Sequence, residues 1–273
     1  MPALCGNGGM NIVNLMGIVF AAFIMVFSMV FGNPNPGKML DAHGALIVIG
    51  GTLACVGVAF SLPRAFSMLM IFIKGLFKTT VPKDLNKRII EELMKLAEAY
   101  RSGNPELENM VKNSSDPFLR EAMQAMMDEV LEPNKLIRVL HARVNTLYER
   151  YSDDAKMFAA CGKYPPAMGL MGAVTGMIML LGSLGQPGAE KTVGPNMSVA
   201  LVATLYGIAL ANLFIIPIGE HLQEIAKKMK LKNTIIVEGV KFIQQRQNPV
   251  VLAEELNSYL LPSERLDWKA IGK

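Results

Sequence analysis

Four long runs of this chain carry no charged residue, and they fall in two pairs: Ile12–Gly32 with Gly44–Leu62, and Tyr164–Leu184 with Met197–Gly219. Each run is long enough to cross the hydrocarbon core, which takes roughly 20 apolar residues. Between the pairs lies a stretch of about a hundred residues rich in Lys, Arg, Asp and Glu. Within it the apolar positions follow helical spacing. Leu85, Ile89, Leu93, Leu96 and Tyr100 predict an amphipathic helix over Asp84–Tyr100, stopped by Gly103, Asn104 and Pro105. A short helix is predicted over Pro105–Val111. Asp116 followed by Pro117 is a cap and a first helical residue, opening a helix with Phe118, Ala122, Met126 and Val130 on its stripe. Pro133 opens a longer one, with Leu136, Leu140, Val144, Leu147 and Tyr151 on one face, extending to Phe158. After the fourth run, Leu222, Ile225, Met229, Ile236, Val240 and Ile243 carry the helical period onward. No stretch alternates as a strand would. The pattern predicts an all-α membrane protein with four transmembrane helices. Residues 1–62 form a first transmembrane hairpin, 63–161 a helical cytoplasmic domain, 162–219 a second transmembrane hairpin, and 220–273 a cytoplasmic helical extension and tail.

Charge sets the expected orientation. The loops inside each pair carry only Lys38 with Asp41, and Glu190 with Lys191. Arg64, Lys74, Lys78, Lys83, Lys87 and Arg88 follow the second run, and Lys227, Lys228, Lys230 and Lys232 follow the fourth. By the positive-inside rule the middle segment and the tail are cytoplasmic. The 273 residues are 51% hydrophobic with a net charge of +4. Basic and acidic residues are interspersed, which argues against a nucleic-acid-binding stripe. The 20 methionines and 24 glycines suit helix packing in lipid. Trp268 is the single tryptophan, so the aromatic belt is thin. The first residues lack the basic segment of a signal peptide, so the first run is read as retained, and Met10 is an alternative start.

The candidate chemistry is sparse. Cys5, Cys55 and Cys161 form neither a metal-ligand spacing nor a disulfide frame. His43, His141 and His221 are scattered and read as interfacial or surface residues, and Asp153 with Asp154 as a solvated pair. There is no phosphate loop, zinc helix or nucleophile elbow. No covalent enzyme chemistry, metal or cofactor is expected. The four runs hold no Asp, Glu, Lys, Arg or His, whereas intramembrane proton and ion carriers are normally carboxylates or bases. The chain alone therefore has no titratable carrier at mid-membrane, and an ion path through it requires a partner's carboxylate.

Two faces of small residues stand out in the second hairpin. Gly169, Gly172, Ala173 and Gly176 recur at helical spacing in the third run, and Ala200, Ala203, Thr204, Gly207 and Ala211 in the fourth. Close helix packing accounts for both faces. Thr204 either bonds back to the preceding turn or offers a polar atom to a water-lined path. Pro166 and Pro217 lie at similar depth near the cytoplasmic ends of these runs. Pro217 falls inside continuing helical signal and frees a carbonyl one turn earlier. It is a hinge or a passive kink.

The block Pro166–Gly172, the block Gly194–Asn212, the early Gly50-Gly51-Thr52 and the large loop between runs two and three resemble the MotA/PomA stator subunits of the bacterial flagellar motor. More broadly they resemble the MotA/TolQ/ExbB group. The resemblance covers nearly the whole chain. It implies a multi-pass inner-membrane protein, a homo-oligomer of five copies around a MotB-type single-span dimer that brings the ion-binding aspartate. Ion flow is then coupled to torque on the rotor protein FliG in motility and chemotaxis. On this resemblance Thr204, Ala173, Gly169, Gly176, Ala200 and Gly207 line the ion path, Pro166 and Pro217 couple ion passage to motion, and Arg101 with Glu108 engages the rotor. Pro105 between those two departs from the family's pattern. Sodium-type members tend to carry Thr where this chain has Ala173. A hard cation favours oxygen ligands, so Ala173 points to protons, with sodium as the alternative ion. The functional alternative is an ExbB/TolQ-type energiser of an outer-membrane system, although those proteins have three spans.

Overall fold

The computed structural model describes residues 12–31, 36–60, 63, 70, 82 and 84–266, and all of the structured elements among them are helical. Cys5, Met10, Arg64, Lys74, Lys78, Lys83 and Trp268 lie outside the described residues. The chain divides into two compact units. One is the described part of Met1–Thr80 with Asp153–Gln223. The other is the described part of Val81–Ser152 with Glu224–Lys273.

In the first unit, α1 is Ile12–Phe31, twenty residues without a charge. The next helix, α2 (Ala42–Ala59), starts at the Asp41 cap, whose carboxylate accepts the His43 amide at 2.9 Å. It holds a π-helical turn at Leu46–Gly50. Three described helices are long and apolar enough to cross a membrane: Ala42–Ala59, Pro133–Ser183 and Glu190–Gln244.

The second unit carries α3 (Leu85–Ser102), α4 (Leu107–Lys112) and α5 (Pro117–Met127). It also holds most of α6 (Pro133–Ala160). Ile89, Leu93 and Leu96 of α3 are buried together with Leu119, Ala122, Met123, Leu136 and Leu140. Gly103 stops α3 with φ +67°, and its amide and that of Asn104 bond back to Tyr100 and Ala99 at 3.3 and 3.0 Å. That conformation is where glycine terminates helices at no steric cost. Asp116 caps α5, accepting the amides of Phe118 and Leu119 at 2.9 and 3.1 Å. The expectation for Val130 fails. α5 ends at Met127, Glu129 turns left-handed at φ 49°, and Val130 is 81% exposed. Its helical spacing from Met126 is coincidental, because the turn into Pro133 intervenes.

The second hairpin follows as α7 (Tyr164–Ser183), α8 (Glu190–Ala209), a π-helical segment Leu210–Ile215, and α9 (Ile216–Gln244). The helix therefore begins seven residues before the uncharged run, and it contains Pro195. Leu222, Ile225, Ile236, Val240 and Ile243 are buried along α9. A further helix, α10 (Pro249–Asn257), lies beyond the helical stripe that ends at Ile243. Its start is a cap followed by proline: Asn248 accepts the Val250 amide at 2.9 Å, and Pro249 needs no partner for a missing N–H. Asn257 then exchanges hydrogen bonds with the Leu266 backbone at 2.9 and 2.8 Å, closing the last described segment on α10.

Candidate functional site

The two small-residue faces meet. A Cβ placed on Gly169 would lie 2.9 Å from the Ala203 carbonyl oxygen and 3.1 Å from Thr204 Cα. One on Gly176 would lie 2.8 Å from both Ala200 Cβ and the Asn196 carbonyl. Gly172 faces Ala203 in the same way, and Gly207 packs its Cα against Gly169 and the Pro165 backbone. Real Cβ atoms do not tolerate such separations, so the backbones of α7 and α8 approach because side chains are missing. α2 joins the seam. Gly44 lies against the Ala203 backbone, and Gly51 against the Met168 side chain. Tyr206 pins the start of α2, its hydroxyl donating to the Met39 carbonyl at 2.5 Å and accepting the Asp41 amide at 3.3 Å.

Within this seam the predicted path residues divide. Gly169, Gly176, Ala200 and Gly207 are buried in the helix contact, whereas Thr204 and Ala173 are half-buried and keep surface. The Thr204 hydroxyl donates to the Ala200 carbonyl at 3.1 Å and lies 3.4 Å from the Gly169 carbonyl. The back-bond to the preceding turn and the contact across the seam are thus both present. A hydroxyl has one hydrogen and two lone pairs. Spending the hydrogen on carbonyls fixes the oxygen and leaves its lone pairs to accept from water or hydronium. Thr175 is bound to its own helix, donating to the Met171 carbonyl at 2.9 Å.

Sequence reasoning passed over Asn212. Met197, Leu201, Ile208 and Asn212 are exposed at three- and four-residue spacing with Thr204 between them, forming one face of α8 and the π segment. Asn212 is the second polar group on that face, and its amide donates to the Ile208 carbonyl at 3.0 Å. Within the π segment the Ile216 amide reaches the Ala211 carbonyl, five residues back. Pro217, exposed, is the second residue after this segment and has no amide to donate. The structure therefore places an irregular helical turn at the predicted bend. Pro166 is half-buried in the first turn of α7.

In the other unit, Arg101 and Glu108 are both exposed, Arg101 in the last turn of α3 and Glu108 in the first turn of α4. The turn containing Pro105 separates them. Asn104 organises it by accepting the Glu106 amide at 2.9 Å. The Glu108 carboxylate accepts from Lys112 Nζ at 2.7 Å. That hydrogen bond, and then the Lys112 charge, hold its carboxyl below the usual range.

Over residues 110–233 the chain matches the MotA/TolQ/ExbB proton channel family. It is 31% identical over 258 residues to the chemotaxis protein PomA of Vibrio alginolyticus, covering 94% of this chain and 98% of that protein. It is 28% identical to motility protein A of Borreliella burgdorferi, over 94% and 96% of the two chains. The flagellar MotAB stator complex from Bacillus subtilis superposes with a TM-score of 0.81 at 25% identity, over 93% of this chain and 98% of that one. The C. jejuni MotAB structure superposes with a TM-score of 0.82 at 23% identity, over 94% and 99%, which speaks for the fold alone.

Proposed function

The chain belongs to the MotA/TolQ/ExbB proton channel family, and from that premise we propose that it is a flagellar motor stator subunit coupling ion flow to torque. The observation that carries this reading is its end-to-end likeness to PomA, with 94% of this chain and 98% of that protein aligned. Four spans cross the inner membrane, with the mid-chain helical domain and the tail on the cytoplasmic side. The excess of Lys and Arg in those segments supports this orientation. Five copies surround a MotB-type single-span dimer. The partner's aspartate carries the ion, because the uncharged runs of this chain offer no carboxylate.

In this mechanism the α7–α8 seam is a rigid wall. Gly169, Gly176, Ala200 and Gly207 set the helix spacing, and Thr204 presents a fixed acceptor oxygen on the surface that faces the partner. Ala173 adds no oxygen beside it, which supports protons rather than sodium as the transported ion. Pro166, and Pro217 with its π turn, are the points at which the helices bend as the aspartate changes charge. Arg101 and Glu108 engage charges of the rotor protein FliG.

The test is swimming speed of cells carrying this protein and its MotB-type partner, with sodium removed and then with a protonophore added. Collapse with the protonophore in sodium-free medium is expected. Dependence on sodium would overturn the role given to Ala173. Thr204→Val keeps the shape and removes the oxygen. It is expected to stop ion-dependent rotation while the assembled complex survives, and full rotation in that variant would refute the role of Thr204.

A further inference from the structure

α9 ends at Gln244, and two residues later Arg246 has φ 53°, one of two non-glycine residues with positive φ among those described. Its amide bonds to the Ile243 carbonyl at 2.9 Å, and the Gln247 amide to the Phe242 carbonyl at 3.2 Å. This is the left-handed helix stop usually made by glycine or asparagine, and an arginine there is strained by its Cβ. Strained residues persist where something else holds them or uses them. Arg246 is exposed, and its guanidinium lies 5.8 Å from the centre of the Tyr100 ring. Tyr100 directly precedes Arg101. The end of α3 therefore carries two guanidinium groups, from residues 145 positions apart in sequence. Neither Arg101 nor Arg246 forms an ion pair among the described residues, in contrast to Glu108, Glu121, Asp116 and Glu238, which are paired.

We infer that Arg246 is a second rotor-binding cation, which with Arg101 forms a surface for carboxylates of the rotor protein. The inference rests on the stator reading and extends its rotor contact to a residue outside the α3–α4 region. The chemistry favours carboxylates. An arginine over an aromatic ring uses the face of its guanidinium, while its N–H donors lie in the guanidinium plane and stay free for bidentate pairing. The ring contact also restricts the side chain before the partner arrives, so less freedom is lost on binding.

The left-handed backbone makes the test clean. Arg246→Gly and Arg246→Asn remove the cation and put a residue suited to this conformation in its place, so the fold is not harmed. In cells with the full stator complex, three quantities are measured for these variants, for Arg246→Glu and for Arg101→Glu: recruitment of labelled stators to motors, torque on a tethered bead, and ion conduction by the complex. Arg246→Gly and Arg246→Asn are expected to lower recruitment about twofold to fivefold, the range of one exposed ion pair. Arg246→Glu is expected to lower it further, and conduction is expected to stay at the parent level in Arg246→Gly and Arg246→Asn. A rotor variant with one carboxylate replaced by lysine should restore Arg246→Glu and not Arg246→Gly. Parent-level recruitment and torque in both neutral variants, with Arg101→Glu impaired, overturns the inference and leaves the stator reading standing. Parent-level behaviour of Arg101→Glu as well overturns the rotor-contact reading on which it rests.

Discussion

Removing the Lys232 ammonium exposes how much of the second unit depends on one buried ion pair. Lys232 of α9 donates to the Asp116 carboxylate, and the two side chains are only 9% and 10% exposed. Asp116 has a second task on its other oxygen, where it accepts the Phe118 and Leu119 amides and starts α5. Lys232→Met leaves a buried carboxylate without its counter-charge, a loss of about 3–5 kcal/mol. Opening of the α5 start should therefore become easier by roughly two to four powers of ten. Asp116→Asn combined with Lys232→Met restores neutrality and keeps a good capping oxygen, so the double variant should return to within about 1 kcal/mol of the parent. The assay is hydrogen exchange at Phe118 and Leu119 in the reconstituted complex, because those amides report the cap directly. If exchange in Lys232→Met stays within about threefold of the parent, or the double variant is as labile as the sum of its parts, the pair is not coupled and the reasoning fails.

Gly176→Ala should cost about 1–3 kcal/mol and impair assembly, because its Cβ would meet Ala200 and Asn196. Gly194→Ala, which meets nothing within 4 Å, is the control, and detergent-stable oligomer yield separates them. Lys112→Met removes the hydrogen bond and charge that hold the Glu108 carboxyl low, so the Glu108 titration should move up toward the ordinary carboxylate range. The contribution that Lys112 supports is present above the unfolded carboxylate value and lost as pH falls through the lowered folded one. Carboxyl NMR titration of both proteins reads the direction. Tyr206→Phe removes the bond to the Met39 carbonyl and should cost about 0.5–1.5 kcal/mol, seen as faster exchange of the Asp41 amide.

The parts of this molecule visible in its sequence are those whose cause is local. Gly103 ends α3 because a left-handed residue is needed at that point, and Asp116 with Pro117 opens α5 because a carboxylate and a missing N–H suit a helix start. The glycines of α7 were visible as a stripe, and in the seam a Cβ on Gly169, Gly172 or Gly176 would meet the facing helix, so their missing side chains allow its close approach. Val130 misled because helical spacing carries no sign of the turn that interrupts it. The unseen features are pairings. Asp116 and Lys232 are 116 positions apart, and Thr204 reaches the Gly169 carbonyl across 35. A sequence displays donors and acceptors but not which are brought together. Arg246 was hidden for a related reason. As a residue type it is one of many surface cations, and it becomes informative only once its backbone is seen in a conformation arginine avoids, over the ring that precedes Arg101. Glycine would fit that backbone without strain, and the arginine held there lies beside the ring next to Arg101, which is what separates it from the other left-handed non-glycine residue, Glu129.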